Sequence, residues 1–245
     1  ISIGLVGSEM CIRDRLQHDR PAGRRGCSAA RLQSASLSAS RSTADGSQLG
    51  VGGSQCPQPE CALTMTGRFL VLEGIDGCGK TTQLRHLADW LPGSGLMSHG
   101  AKLHCTREPG GTPLGQSLRE LLLNPPQEAA PAPIAELLLY AADRAQHVEQ
   151  MIRPALERGD WVLSDRFSGS TLAYQGYGRG LDLQTIVDLE RIATAGIAPD
   201  ITFWLDLPLH ESLKRRGARA DDRIEAEGEA FLARVSQGFQ QLSTE

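Results

Sequence analysis

No stretch of this 245-residue chain comes near the roughly 18 consecutive apolar residues that a membrane-crossing helix needs. The longest candidates, Leu137–Ala142 and Phe203–Leu205, are the size of core segments. A transmembrane helix is thereby excluded. Positive charge is not in excess either: 25 Lys and Arg against 29 Asp and Glu give a formal net charge of −4. The chain lacks the basic footprint of a general nucleic-acid binder and must hold any anion with a local cluster.

Lysine and aromatic residues are missing altogether from residues 1–64, which are rich in Ser, Gly, Ala and Arg and hold seven of the basic and five of the acidic residues. Such a segment cannot bury enough surface to offset its ordering entropy. Nor does an apolar core follow a basic start, as in a secretory signal. Residues 1–64 are therefore expected to form a disordered low-complexity tail, translated upstream of a native start at Met65. The Arg and Ser content would also suit a targeting peptide, against which the five acids weigh. Cysteine is scarce beyond that tail. Cys11, Cys27, Cys56 and Cys61 lie within it, Cys56 and Cys61 without the second ligand pair of a zinc clip, and only Cys78 and Cys105 follow. Two distant cysteines make no disulfide framework, and a cytoplasmic location fits.

From Met65 onward short apolar runs alternate with longer segments of helical periodicity. Strands are predicted at 69–72, 102–106, 161–164 and 201–206, and helices at 82–91, 114–123, 134–157, 183–195 and 229–242. The segment Tyr174–Gly180 is too glycine-rich for a helix interior and is predicted as a loop. Strands separated by helices mean an α/β fold, a parallel sheet with helices on both faces. Ligands then belong at the carboxyl ends of the strands.

Directly after the first strand stands Gly74-Ile75-Asp76-Gly77-Cys78-Gly79-Lys80-Thr81, a full match to the phosphate-binding pattern G-x-x-x-x-G-K-[ST]. Its glycines let backbone N–H groups face a polyphosphate at the positive end of the following helix. Lys80 can reach the β and γ phosphates, and Thr81 can coordinate Mg²⁺. Asp165 and Arg166 close the 161–164 strand, where they could hold Mg²⁺ through water and face an incoming phosphate, or merely pair with each other. The residues alone leave both readings open. Arg215, Arg216, Arg219 and Arg223 crowd one short segment; a run of this kind is by itself usually solvated surface.

Taken in order, these motifs resemble the thymidylate kinase family over residues 68–245. The resemblance rests on Leu72-Glu73-Gly74 through Lys80-Thr81-Thr82, then on Thr106-Arg107-Glu108-Pro109-Gly110-Gly111-Thr112 and Tyr140-Ala141-Ala142-Asp143-Arg144. It continues in Asp165-Arg166-Phe167, Ala173-Tyr174-Gln175-Gly176, Gly178-Arg179-Gly180 and Asp222-Arg223-Ile224-Glu225. It implies a three-layer P-loop fold with an arginine-rich lid at about 215–225, and transfer of the γ-phosphate of ATP to dTMP, giving dTDP on the way to dTTP. A deoxynucleoside kinase or a catalytically silent nucleotide-binding fragment is the alternative.

The resemblance also assigns roles. Gly74, Ile75, Asp76, Gly77, Cys78, Gly79, Lys80, Thr81 and Thr82 would hold ATP, with Mg²⁺ on Thr81 and, through water, Asp165. The dTMP site would comprise Arg107, Glu108, Pro109, Arg119, Tyr140, Arg144, Arg166, Thr171, Tyr174 and Gln175. Of these, Arg166, with Arg107 and Arg119, would take the acceptor phosphate. Tyr140 would stack on the thymine, Arg144 would reach its O4, and Thr171 and Gln175 would meet its remaining polar edge. Tyr174 would crowd the 2′ position, and Asp76 would contact the 3′-hydroxyl. Gly77 and Cys78 stand where some members carry a P-loop arginine, so the lid, through Arg216 and Arg219, would supply that charge with Lys80. A homodimer is implied, with no nucleic-acid or membrane partner. The family continues past the counterpart of Glu245 into one more strand and helix, so a C-terminal truncation is expected.

Overall fold

The computed structural model describes residues 2–7, 10–14, 67–126, 128, 130–216 and 222–244. Two short strands, β1 (Ser2–Gly7) and β2 (Met10–Asp14), precede the four that the periodicity predicts: β3 (Phe69–Glu73), β4 (Leu103–Arg107), β5 (Trp161–Asp165) and β6 (Ile201–Asp206). The sheet runs β2-β1-β6-β3-β5-β4. The pairs β3–β5, β3–β6 and β4–β5 are parallel, with Leu72 opposite both Asp165 and Phe203.

Strand β3 is an unbroken apolar run because it lies at the centre of a parallel sheet covered on both faces. Its alternate residues feed two cores. Leu70 and Leu72 pack with Leu163, Leu205, Tyr174, Phe231 and Val235 on one face. Phe69 and Val71 pack with Val162, Val148, Ile152, Ala155 and Phe167 on the other, where the rings of Phe69 and Phe167 meet edge to face at 4.9 Å.

The covering helices are α1 (Lys80–Trp90), α2 (Pro113–Leu123), α3 (Pro133–His147), α4 (Arg153–Glu157), α5 (Ser168–Thr171), α6 (Leu183–Thr194), α7 (Leu209–Arg216) and α8 (Glu229–Leu242). A π-helical turn, Val148–Ile152, joins α3 to α4, so the long helix predicted at 134–157 is one continuous rod. Thr112 starts α2 by accepting from the Gly115 N–H, with Pro113 at the first helical position, and Asp182 starts α6 by accepting from the Thr185 N–H.

One expectation is corrected. Residues 174–178 of the expected loop are helical: α5 runs on through a π-helical turn, Leu172–Gly178. The glycines there serve close packing. A Cβ at Gly178 would stand 2.7 Å from Phe231 Cε2 and 2.8 Å from Val235 Cγ2, so α8 could not approach a side chain. Of the segment expected to form the tail, residues 2–7 and 10–14 are described, as β1 and β2. They pair antiparallel with each other and with β6, whose outer edge offers unpaired N–H and C=O groups to any extended segment. The remainder of residues 1–64 lies outside the described residues. Lys214, Arg215 and Arg216 stand at the carboxyl end of α7, where cations suit the helix dipole.

Substituting Gly178→Ala forces α8 off this helix and is expected to cost about 1–3 kcal/mol in urea unfolding; an unchanged midpoint would contradict the packing role.

Candidate functional site

β3 delivers the chain to Gly74, and the loop that follows closes on α1 through Gly79, whose φ of 104° only glycine adopts without strain. The first residue of α1 turns back into the loop. Lys80 Nζ donates to the carbonyls of Gly74 and Ile75, both at 3.0 Å, and lies 3.7 Å from Asp76. Thr81 Oγ1 donates to Asp165 Oδ2 at 3.0 Å, joining the helix start to the end of β5. Among the described residues no three His, Cys, Asp or Glu side chains converge as a metal cage. One hydroxyl and one carboxylate beside a phosphate loop fit Mg²⁺, a hard ion that keeps its waters and binds with the phosphates of a nucleotide.

Beyond Asp165 the backbone reverses at Arg166, whose φ of 75° is left-handed and costs a non-glycine residue about 1–3 kcal/mol. Four bonds hold it there. Nη1 donates to Gly74 O (3.0 Å) and Ser170 Oγ (2.7 Å), and Nη2 to Asp76 Oδ1 (2.8 Å) and Tyr174 OH (3.3 Å). The guanidinium also lies 5.1 Å over the Tyr174 ring, and the tyrosine hydroxyl donates to Asp76 Oδ2 at 2.8 Å. Burial would raise the Asp76 carboxyl, but the charges of Arg166 and Lys80 and the Tyr174 hydroxyl hold it well below the usual carboxylate range. Beneath this group Glu73, the last residue of β3, accepts from the N–H groups of Phe167 and Ser170 and from Ser170 Oγ. Burial pushes its carboxyl up, against the pull of the Arg166 charge.

A second set of buried charges fixes the turn after β4. Glu108, at a cis peptide to Pro109, accepts from Arg144 Nε (2.7 Å) and His147 Nδ1 (2.8 Å), while His147 Nε2 sits 2.8 Å from Thr106 Oγ1. Arg144 Nη1 donates to Thr171 Oγ1 (2.8 Å) and pairs with Glu190. Burial would lower the Arg144 guanidinium, but Glu108 and Glu190 hold it above its ordinary value. Asp143 Oδ1 accepts from the Gly110 N–H, and burial beside Glu108 raises its carboxyl to about 6. Arg119 donates to the Pro109 carbonyl at 2.9 Å; burial and the neighbouring Arg107 charge lower its pKa. Gln175 Nε2 donates to Glu136 Oε1 at 2.7 Å, and Arg179 and Arg223 pair with the same carboxylate.

Two adjoining clefts open over these groups. One, of ≈ 560 Å³, is lined by Pro109, Tyr140, Arg144, Thr171, Tyr174 and Gln175. The other, of ≈ 1230 Å³, is lined by Gly77, Gly79, Lys80, Thr81, Thr82, Arg107, Asp165, Arg215 and Arg216. Asp76, Glu108, Arg119, Arg166 and Asp222 line both. Helical spacing explains the first cleft: Tyr140 and Arg144 are four apart on α3, and Thr171, Tyr174 and Gln175 share one face of the helix after β5. Gly74 and Ile75 line neither cleft; Cys78 is fully buried behind the loop. Arg216 pairs with Glu225 at 3.4 Å, and Arg219 lies outside the described residues. Sequence reasoning gave no role to Glu73, Ser170, Glu136, His147, Glu190 or Asp222. The signal available for Glu73 and Glu136 was an acid set against an apolar run, where burial demands partners.

A family profile described as Thymidylate kinase matches residues 72–245. The chain is 75% identical over 181 residues to the thymidylate kinase of Synechococcus sp. (strain WH7803), covering 74% of this chain and 85% of that relative. It is 74% identical over 181 residues to the thymidylate kinase of Prochlorococcus marinus (strain MIT 9313), covering 74% and 84%. The crystal structure of thymidylate kinase from Ehrlichia chaffeensis superposes with a TM-score of 0.58 at 36% identity, over 73% of this chain and 83% of that one.

The raised Asp143 carboxyl carries a pH signature. With a folded value of about 6 against 3.8, the folded state binds the extra proton, so this stabilisation is complete below pH 4 and lost as pH rises through 6. Asp143→Asn keeps an acceptor for the Gly110 N–H without the charge. Its unfolding free energy relative to the parent chain should therefore rise between pH 4 and 7, by up to roughly 3 kcal/mol; a flat difference would contradict the assignment.

Proposed function

This chain belongs to the thymidylate kinase family, and from that premise we propose that it transfers the γ-phosphate of ATP to dTMP, giving dTDP and ADP. The observation that carries the reading is the position of Arg166, in the wall of both clefts and within reach of the P-loop. Both reactants are polyanions, and two unit charges about 4 Å apart at an effective dielectric near 20 repel by roughly 4 kcal/mol. Arg166, Arg119 and Arg107 take the acceptor phosphate. Lys80 exchanges the Gly74 and Ile75 carbonyls for the phosphates of ATP, which the loop from Gly74 to Thr82 cradles, and with Arg216 it neutralises charge developing on the transferred group. Mg²⁺ brought with the nucleotide would be held by Thr81 and, through water, by Asp165, and would supply further neutralisation of phosphate charge.

In the smaller cleft Tyr140 stacks on the thymine ring. Arg144 offers O4 its Nη2, which takes no part in the bonds to Glu108, Thr171 and Glu190. Thr171 and Gln175 meet the rest of the polar edge, and Glu108 and Pro109 form the floor. Tyr174 crowds the 2′ position, and Asp76 accepts from the 3′-hydroxyl. A phosphate oxygen is already anionic and needs no base. A nucleoside kinase would need one, and Asp76, held ionised by Arg166, Lys80 and Tyr174, is a poor proton acceptor.

The kinase unit comprises residues 65–245, with a lid at about 215–225. It works as a homodimer: Leu114 and Leu121 on α2, Ile134 and Leu138 on α3, and Val187 on α6 are large apolar side chains about half exposed, and α3 packs against both α2 and α6. A cytoplasmic setting suits the free thiols of Cys78 and Cys105.

In a coupled ADP-release assay with ATP and Mg²⁺, dTMP should be turned over in preference to UMP, dCMP and thymidine. Lys80→Ala and Arg166→Ala should each lower kcat/KM by roughly a hundredfold or more. Turnover of thymidine in place of dTMP would contradict the reading. Leu138→Arg should convert a dimer to a monomer in sedimentation; a parent chain that sediments as a monomer would remove the dimer.

A further inference from the structure

Gln175 is 2% exposed, and in the smaller cleft its amide can present either an oxygen or an NH₂ group. Which one faces the cleft decides which ring fits. Glu136 settles it. This residue is fully buried, four residues ahead of Tyr140 on α3's inner side, and accepts from Gln175 Nε2 at 2.7 Å. A carboxylate only accepts, so the amide nitrogen must turn towards it. The carboxylate is kept charged by Arg179, whose Nε and Nη2 donate to Glu136 Oε1 and Oε2 at 3.2 and 2.9 Å, and by Arg223, whose Nη2 donates at 2.6 Å. Among the described residues no donor is bonded to Gln175 Oε1.

We propose that Glu136 is a positioning residue for base selection: by holding the Gln175 nitrogen, it makes Oε1 the atom offered to the cleft and so demands a ring N–H donor there. A 2,4-dioxopyrimidine has that donor at N3. A 4-amino-2-oxopyrimidine has a bare acceptor at N3, which would oppose Oε1 lone pair to lone pair. This rests on the kinase reading above and adds the group that fixes the polarity of its base pocket. Arg223 adds a second consequence. It also donates to the Leu122 carbonyl at 2.7 Å, so one carboxylate ties the selecting amide to both α2 and the segment carrying Asp222 and Ile224.

The test measures kcat/KM for dTMP, dUMP and dCMP on the full chain and on Glu136→Gln, whose own amide can donate or accept and so leaves Gln175 unaligned. The dTMP:dCMP ratio should fall by roughly ten- to a hundredfold, while the dTMP:dUMP ratio, two rings alike at N3, stays as in the parent chain. Glu136→Asp keeps the charge that Arg179 and Arg223 need but withdraws the carboxylate by one methylene, so it serves if Glu136→Gln does not fold; its dTMP:dCMP ratio should fall in the same direction. If activity or thermal stability drops while all three acceptors keep their proportions, Glu136 is only structural and the proposal is overturned. A parent chain that turned over no dTMP would instead sink the kinase reading and this one together.

Discussion

The ion pair between Arg166 and Asp76 is the interaction around which the site is arranged. It exists because β3 and β5 are hydrogen-bonded neighbours, which sets the loop after one beside the turn after the other. The Arg166 side chain reaches across that seam to Asp76 and the Gly74 carbonyl, and Ser170 and Tyr174 close the other side. The left-handed backbone at Arg166 points the guanidinium into both clefts, and its four bonds offset the conformational cost. Glu73 secures the arrangement from below by capping the start of the next helix and orienting Ser170.

Similar logic recurs wherever the interior holds charge. Glu108, Glu136 and Glu190 are buried acids, each answered by an arginine, and Arg144 is answered by two of them. Desolvation makes an unanswered member of such a set cost several kcal/mol, so these groups specify one arrangement more than they add stability. The result is a pocket whose polar walls cannot re-orient. That suits a reaction in which little covalent chemistry is asked of the protein and most of the work is holding two anions in line.

Much of this was legible in the sequence. The four parallel strands appeared as apolar runs and the main helices as 3.6-residue patterns, because burial on both sheet faces imposes those periods. The phosphate loop was legible because few other residues can make its turn. What could not be read was partnership. Glu136 sits 39 positions from Gln175 and 87 from Arg223, and the apolar run beside it marks burial without naming those partners. Glycine is ambiguous in the same way: Gly176 and Gly178 point to a loop, whereas at Gly178 the missing side chain admits the ring of Phe231. Helix α7 is not legible in the sequence because two leucines, Leu209 and Leu213, are its only apolar anchors in a charged segment. The strands β1 and β2 answer to an open sheet edge that exists only once β6 has formed.

On the proposed reading Arg166 is the receptor for the acceptor phosphate. Calorimetric titration with dTMP and with thymidine isolates that phosphate as a difference in binding free energy. The parent chain should bind dTMP at least roughly a hundredfold more tightly than thymidine, and Arg166→Ala should narrow the gap to a few-fold, since charge-assisted bonds to the phosphate are lost while the ring contacts remain. A gap of the same width in the variant would contradict the account.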